Sequence, residues 1–518
     1  MCIRDRVQGQ LRLQRQQQLD LQISDLRGRF NGAPFNISGQ LRGLGEADFL
    51  ANLKLGLSRL DLERLAPWLD LAASHSDSIG PWREILESHR LAGRLSADLD
   101  LFFLQSNPAK TRAIGPVTLR QGRIYLPEQS LLIDRVRASL ALDRNRYQLK
   151  ELALRANDQP LKLSGSLQNP ARPVIELSVY SPRLKLDQLL PPAQPTGPAA
   201  PKKTKNFVPA EADPPTPDAT PEDWQLPELA RRSRAAIDLK IDSGHFRGET
   251  FRGLALTGRY RHGELERATL DTRVAGGKIR AHASANVLHP AAVPFALDWN
   301  LEQLDLARLT RLFSKNGEEL MSGGLHSQGE LQGHLVQPLD ARELMRALNG
   351  TVRLKTGPGK IPNRSVAANT LFSILSLLNV QGIVSGDLGS GVAIDGLPYD
   401  QLGVTARLDG ENLIMEPLDL ITQAFSTRAI GKVELTQGDM ALDVDAVITL
   451  LGTLDRVLNL VPVVGQAVSD LTRIYLKIGG TASAPSVRVQ PIEGLTTGIG
   501  SVLSAPLELI GGNPESAR

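Results

Sequence analysis

A single cysteine, Cys2, stands in 518 residues. One thiol excludes a disulfide framework, a CxxC redox pair and a thiolate zinc site. Aromatic residues make up only 4%, and the four tryptophans, Trp68, Trp82, Trp224 and Trp299, are too dispersed to form a stacking platform. Charge of one sign is missing as well. Lys and Arg are interspersed with Asp and Glu to a net charge of +3, with no basic stripe, so nucleic acid is not an expected partner. The first thirty residues hold no apolar core of a signal peptide.

Signatures of catalysis are absent too. The chain has no GxSxG, HExxH, GxxxxGK[ST] or strand-borne GxGxxG motif. TGPGKIP (Thr356 to Pro362) is read as a turn, because Pro358 interrupts it and no Ser or Thr follows Lys360. The eight histidines are scattered. Neither His282 with His289 nor His326 with His334 has the i, i+4 spacing of a helical zinc site. Carboxylates are spread along every polar face, so no pair is singled out as general acid and base. The expectation is a protein that is not an enzyme, with no metal and no cofactor.

What the chain does contain is repetition. SRLDLERLAPWL (Ser58 to Leu69), PRLKLDQLLPP (Pro182 to Pro192) and EQLDLARLTRLF (Glu302 to Phe313) are copies of one phrase, starting 124 and then 120 residues apart. GTLDRVLNLVP (Gly452 to Pro462) is a looser fourth copy. In each, a strand ends in Leu-x-Leu and runs into a leucine-rich helical turn, which makes Leu60, Leu184 and Leu304 structural joints between modules.

Upstream of each phrase the apolar residues alternate with period two, the mark of strands with one apolar and one wet face. Val136, Ala138, Leu140 and Leu142 share a phase, as do Leu152, Leu154 and Ala156, Leu161 and Leu163, and Ile175, Leu177 and Val179. A later set runs through Leu254 and Leu256, Ile279, Ala281, Ala283 and Ala285, then Phe295, Leu297, Trp299 and Leu301. Gly, Asn and Asp turns recur between them, so the connections are expected to be antiparallel meanders. The fold class expected is mainly β, with repeated antiparallel modules and short helices at module ends and in the C-terminal region. Alternation alone serves an open trough and a closed sandwich with a filled core equally well.

The expected organisation rests on composition. Residues 1–6 (MCIRDR) join awkwardly to the strand pattern after them and read as non-native, and 7–70 is a partial β repeat that begins half finished, so the chain reads as an N-terminally truncated fragment. Residues 71–192 form a β repeat with a short helical insert, the helix placed from Pro81 to His89. Ten prolines lie between Pro191 and Pro221; with too little apolar surface to offset ordering, 193–226 is expected to be a disordered excursion, and its Lys202 to Lys205 cluster a solvated loop charge. Residues 227–313 are a further β repeat. A helical insert is expected over 314–390, with Asp340 capping a helix that Gly350 ends and an uncharged run from Ser365 to Ser385 whose helical part is too short to span a bilayer. Residues 391–491 are a C-terminal β repeat carrying an apolar helix within Val447 to Leu471, where Asp455, Arg456 and Pro462 argue against a membrane span. Residues 492–518 form an apolar or amphipathic tail.

The order of strand, GxL, Pro-containing strand and LDLxxL, the stretch LNGTVRLKTGPGKI (Leu348 to Ile361) and the series from Val404 through IGGTASAPSVRVQP resemble the AsmA-like family of diderm bacteria, above all the C-terminal region of its YhdP-like members. The likeness is best over about Ala341 to Pro491, with Leu19 to Leu309 similar to the family's repeating β region. The resemblance implies an elongated, curled sheet forming a U-shaped apolar trough. It implies also a periplasmic bridge-like lipid transfer protein, anchored to the inner membrane through a segment missing from this chain and passing phospholipids between inner and outer membranes. Its relation to TamB-type proteins leaves open a periplasmic scaffold or assembly factor for outer-membrane proteins, with envelope proteins as further partners; an envelope lipid or glycan enzyme is a distant third. On this reading the trough would be lined by Leu140, Leu142, Leu152, Leu154, Leu161, Leu163, Ile175, Leu177, Val179, Ile279, Phe295, Leu297, Trp299, Val404, Leu408, Val433, Leu442 and Val444.

Overall fold

The computed structural model describes residues 7–15, 19–46, 48–64, 91–107, 111–126, 131–189, 227–288, 292–313, 319, 321–336, 344, 346–362, 396–423, 425–435, 440–450, 473–481 and 485–490. The chain is mainly β with few short helices, as the alternation predicts, and divides into two compact units, residues 1–268 and 269–518.

In unit 1 the strands are β1 (Gln8–Arg15), β2 (Leu19–Phe30), β3 (Ala33–Arg42), β4 (Leu50–Asp61), β5 (Ala92–Leu104), β6 (Arg112–Leu126), β7 (Leu131–Asp143), β8 (Arg146–Ala156), β9 (Gln159–Gln168), β10 (Val174–Ser181), the two-residue β11 (Leu184–Lys185), β12 (Arg234–Phe246) and β13 (Glu249–Arg261); helix α1 (Glu228–Arg232) precedes β12. From β1 to β10 each strand pairs antiparallel with the next. Turn chemistry explains the tight connections: Asn31 with Gly32, Asn157 with Asp158, and Arg247 with Gly248 all take the left-handed backbone that two-residue hairpins require.

The expectation of uniformly antiparallel pairing fails at one place. β10 pairs with β12 in parallel, Val174 opposite Arg234 through Ser181 opposite Ile241. β12 then pairs antiparallel with β13. A parallel pair needs a connection that travels the length of the strand before re-entering the sheet. The connection between β10 and β12 holds the proline-rich segment and is far longer than the crossover requires.

β14 (Glu264–Val274) leads into unit 2, which holds β15 (Gly277–Asn286), β16 (Ala292–Asp305), helix α2 (Leu306–Phe313), β17 (Gly324–Val336), β18 (Asn349–Thr356), β19 (Gly359–Ile361), β20 (Leu397–Tyr399), β21 (Gln401–Asp409), β22 (Asn412–Ile421), β23 (Phe425–Glu434), β24 (Ala441–Leu450), β25 (Arg473–Gly480) and β26 (Pro485–Gln490). β15 to β18 and β21 to β26 form an antiparallel series in which β18 pairs with β21. β19 and β20 form a separate two-stranded sheet. In each unit the ladder is curled and unclosed.

The stretch 314–390, expected as a helical insert, differs. It contributes β17, β18 and β19, and helical backbone occurs at Leu344, Arg346 and Ala347. Gly350 does not cap that helix: it lies within β18, opposite Leu331 and Leu408, where a Cβ would meet the Glu330 carbonyl oxygen at 2.0 Å. Close backbone approach, not helix termination, is what requires glycine there. The helix placed over 81–89, the 193–226 excursion, the Ser365 to Ser385 run, the fourth phrase and the C-terminal tail lie outside the described residues.

The repeated phrase has one structure in three places. Leu60, Leu184 and Leu304 are buried, at 5%, 7% and 0% exposure. At the first and third copies a bulge shifts the register just before the leucine, with Arg59 and Gln303 in left-handed backbone. A helical turn follows each leucine: Leu62–Arg64, Leu186–Gln188 and α2. The turn is tied to a hairpin upstream. Asn31 Nδ2 donates to the Arg64 carbonyl, Asn157 Nδ2 donates to the Gln188 carbonyl at 2.9 Å, and the Asp305 amide donates to the Ala275 carbonyl at 2.8 Å. At the middle copy buried Gln159 also pairs with both backbone groups of Lys185. Asp305 caps α2 through the Ala307 amide at 2.9 Å.

Candidate functional site

Register, more than sequence distance, decides which side chains form a surface. Directly opposed residues in a ladder share a face, and following the pairings across unit 1 places one apolar set on a single side. It runs from Leu11 and Leu13 of β1 through Leu21 and Ile23, Ile37 and Leu41, then Leu53 and Leu55. It continues by way of Leu99 and Leu101, Val117 and Leu119, to Leu140 and Leu142. Leu152 lies opposite Ala138 and Leu163, Leu154 opposite Leu161, Leu177 opposite Gly165 and Val179 opposite Leu163. The parallel joint keeps the phase, with Ile175, Leu177 and Val179 beside Ala235, Ile237 and Leu239, and these lead to Leu254, Leu256 and Tyr260. Bulges in β2, β7 and β8 restore the apolar residues to this side where strict alternation would lose them.

All nine candidates in this unit (Leu140, Leu142, Leu152, Leu154, Leu161, Leu163, Ile175, Leu177 and Val179) therefore lie on one face. None of them is buried; Ile175 is 38% exposed and its neighbour Ile237 45%. From β1 to β13 the ladder is twelve strands wide, β10 and β11 sharing one edge of β12, and spans a contour on the order of 50 Å at the usual spacing of neighbouring strands. An apolar surface of that extent is larger than a soluble monomer ordinarily leaves to water.

Unit 2 carries an equivalent phase. Ile279 is opposite Leu301, Ala281 opposite Trp299, Ala283 opposite Leu297 and Ala285 opposite Phe295; Val404, Leu408, Val433, Leu442 and Val444 follow on the same side through the register of β18, β21, β22, β23 and β24. Here the face is covered toward its C-terminal end. Ile361 of β19 and Leu397 and Tyr399 of β20 pack on Leu420, Phe425, Ala429, Val444, Ala446, Ile448 and Leu476 in one buried cluster. Leu408, Val433 and Val444 are buried. They are corrected from open lining positions to packed ones, and for Val444 the reason is the second layer formed by β19 and β20. Ile279 packs partly buried against a second cluster, Ala275, Leu304, Leu306 and Leu325, under α2. Phe295, Leu297, Trp299, Val404 and Leu442 stay part-exposed. Trp299 lies over Gly329, where a Cβ would meet its ring at 2.5 Å, and donates from Nε1 to Ser327 Oγ at 3.1 Å.

These faces are mainly aliphatic, with isolated hydroxyls such as Ser327 and Thr427 among the leucines and valines. Among the described residues no three His, Cys, Asp or Glu side chains gather at metal-ligand spacing, and no helix is long and apolar enough to cross a membrane. His282 and Asp298 pair at 2.8 Å on the opposite, polar face. Burial pushes the Tyr399 hydroxyl above its ordinary pKa, and that hydroxyl donates to the Ser322 carbonyl, fixing β20 over the sheet. For Lys477, burial lowers the pKa, but Asp443 at 2.6 Å and Asp445 at 3.0 Å outweigh it and the net shift is upward.

Two groups of residues escaped the reading of the sequence. Asn31, Asn157 and Gln159 pin the joints; the asparagines are legible as turn formers, but their long-range acceptors are not. The second group is arginine. Arg94, Arg120, Arg137 and Arg155 occupy the polar phase of four successive strands, a pattern that appears only when strand phase is tabulated beside charge. Comparison with known protein families, characterised proteins and solved structures finds no match to this chain.

Proposed function

We propose that this chain is a bridge-like lipid transfer protein that conducts phospholipid along the apolar face of its sheet, between inner and outer membranes across the periplasm. The observation that carries the reading is the single apolar phase of unit 1, held continuous from β1 to β13 by register and bulges and left part-exposed. Transferring one methylene from water to a greasy surface gains about 0.8 kcal/mol. A two-tailed lipid therefore pays heavily to cross water alone, and a strip of leucine, isoleucine and valine removes that cost without a catalytic residue. Such a strip asks for apolar area and no hydrogen-bond partner, which fits the interchange of Leu, Ile, Val and Ala at equivalent positions. The resemblance to AsmA-like proteins points the same way, and the periplasmic location in this reading rests on it.

The test is lipid content. Purified full chain is extracted and its phospholipid quantified, alongside Leu177→Glu and Leu297→Glu on the apolar face and Ser178→Glu on the polar face. The two apolar-face variants are expected to lose most of the bound lipid with unchanged β content, and Ser178→Glu to retain it. Lipid-free wild-type protein, with no lipid photocrosslinks from positions 177 and 297, would overturn the reading. Crosslinks instead to outer-membrane proteins, insensitive to the glutamates, would replace it by an assembly factor.

A further inference from the structure

Unit 1 holds a concavity of about 1490 Å³, lined chiefly by polar-phase residues of β5 to β9 and reaching Leu154 and Leu161 of the apolar set at one end. Its walls carry seven arginines, among them Arg94, Arg120, Arg123, Arg135, Arg137 and Arg155, together with Lys162, against two acids on the lining, Glu63 and Asp134. We propose that this concavity is a binding site for a phosphate-bearing polyanion, a reading that rests on its arginines and not on the lipid-transfer reading.

The concavity is built by aligned irregularities. Register shifts fall between Leu57 and Leu60 in β4, Ala92 and Arg94 in β5, Leu119 and Gly122 in β6, and Asp134 and Arg137 in β7. Arg59, Gln121 and Arg135 occupy left-handed backbone there, a conformation glycine would take at lower cost. Bulges bend strands and re-aim side chains; here they gather arginines that lie far apart in sequence.

The charge arrangement makes poor sense as a solvated sheet face. Arg94 of β5 is directly opposite Arg120 of β6, and like charges in that relation destabilise a strand pair. Elsewhere on the polar face of this unit cations sit against acids: Lys54 with Asp100, Arg27 with Asp25, Lys240 with Asp238. In the concavity Arg94 reaches Asp61 at 3.5 Å, while Arg120, Arg123, Arg135, Arg137 and Arg155 have no ion pair among the described residues. Asp134 lines the same space, and its Oδ1 is buried with no hydrogen-bond partner among the described residues. A ligand offering several phosphate oxygens satisfies the forked guanidinium donors, for which arginine is better suited than lysine.

The experiment uses the full chain at low and moderate salt, with two probes: tripolyphosphate by calorimetric titration, and phosphatidylcholine vesicles with and without phosphatidylglycerol by co-sedimentation. Two triple variants of equal charge change are compared, R120Q/R137Q/R155Q in the concavity and R27Q/K54Q/R259Q elsewhere on the polar face. Binding that weakens about tenfold or more in the first triple and less than about twofold in the second supports the site, since only the first removes convergent donors. Tripolyphosphate binding would assign a free anion, and binding only to phosphatidylglycerol vesicles a headgroup on a surface; either supports the proposal. Equal losses in both triples, or no binding of wild type to either probe, overturns it. Melting supplies a second readout: the concavity triple is expected to melt no lower than wild type, because it relieves repulsion. Should that triple not fold, R137Q alone is read in the same way.

Discussion

Leu177 and Phe425 each lie in the apolar phase of a strand paired on both sides, one in each unit, yet Leu177 stays part-exposed while Phe425 has 0% exposure. One neighbour of β10 is parallel where both neighbours of β23 are antiparallel, but both strands alternate and both present aliphatic neighbours. What differs is a second layer. In unit 2, β19 and β20 lie on the sheet and make its apolar face a core around Phe425. In unit 1 the corresponding face stays part-exposed at Leu177, and helix α1 reaches it at Tyr260, whose hydroxyl donates to the Ala230 carbonyl. The same alternating strand thus serves as half of a sandwich or as an open surface, according to whether a few residues elsewhere in the chain fold over it.

Truncation at matched positions tests this contrast most severely. Phe425→Ala is expected to destabilise unit 2 by about 3–5 kcal/mol, because it leaves a cavity between two layers that cannot close on it. Leu177→Ala is expected to cost roughly 1 kcal/mol or less, since a part-exposed side chain gives up only part of its transfer energy. Denaturant titration of both variants measures the difference. Equal costs would mean that the face of unit 1 is covered after all.

A smaller effect tests the joints that frame the open face. Asn157→Ala removes the donor to the Gln188 carbonyl and the acceptor of the Leu132 amide. It is expected to cost about 1–2 kcal/mol for two hydrogen bonds of ordinary net worth, to raise amide exchange around Leu184, and to leave exchange in β23 and β24 unchanged. Loss of protection in both units together would show that the joint does not act locally.

The smallest effect is alkaline. Tyr399 and Lys477 in unit 2 both have pKa values raised above their usual ones, 10.0 and 10.5. For each group the folded state holds its proton more tightly than the unfolded state. The stabilisation is thus fully present below the unfolded value and is lost as pH rises through the folded one. Unit 2 is expected to lose stability above about pH 10, read as a falling melting temperature; Tyr399→Phe should flatten the tyrosine part of that fall. A melting temperature of unit 2 that holds level across that range would count against the buried environment of Tyr399.

Much of the fold was legible in the order of residues. Period two assigned the phase of Leu140, Leu154, Leu177 and Leu297 correctly, because side-chain direction along a strand is a local property. The copies of the phrase identified Leu60, Leu184 and Leu304, since a leucine spaced from a helical turn must find the same cover each time. Local reading failed where a non-local partner decides. Gly350 looked like a helix cap, but it sits where the backbone of β17 comes too close for a Cβ. The stretch 314–390 looked helical, but tertiary pairing draws most of its described residues into β17 and β18. The parallel pairing of β10 with β12 has no signature beyond the length of the connection.

Local spacing of two to four residues was enough to settle which side chains would share a face and where each module would end. Tertiary packing was needed to cover the apolar face at Phe425 and leave it open at Leu177, to place Val444 in a core, and to bring seven arginines into one concavity. Those outcomes depend on register, bulges and a covering layer supplied by residues 359–361 and 397–399, and no local period encodes a partner so distant along the chain.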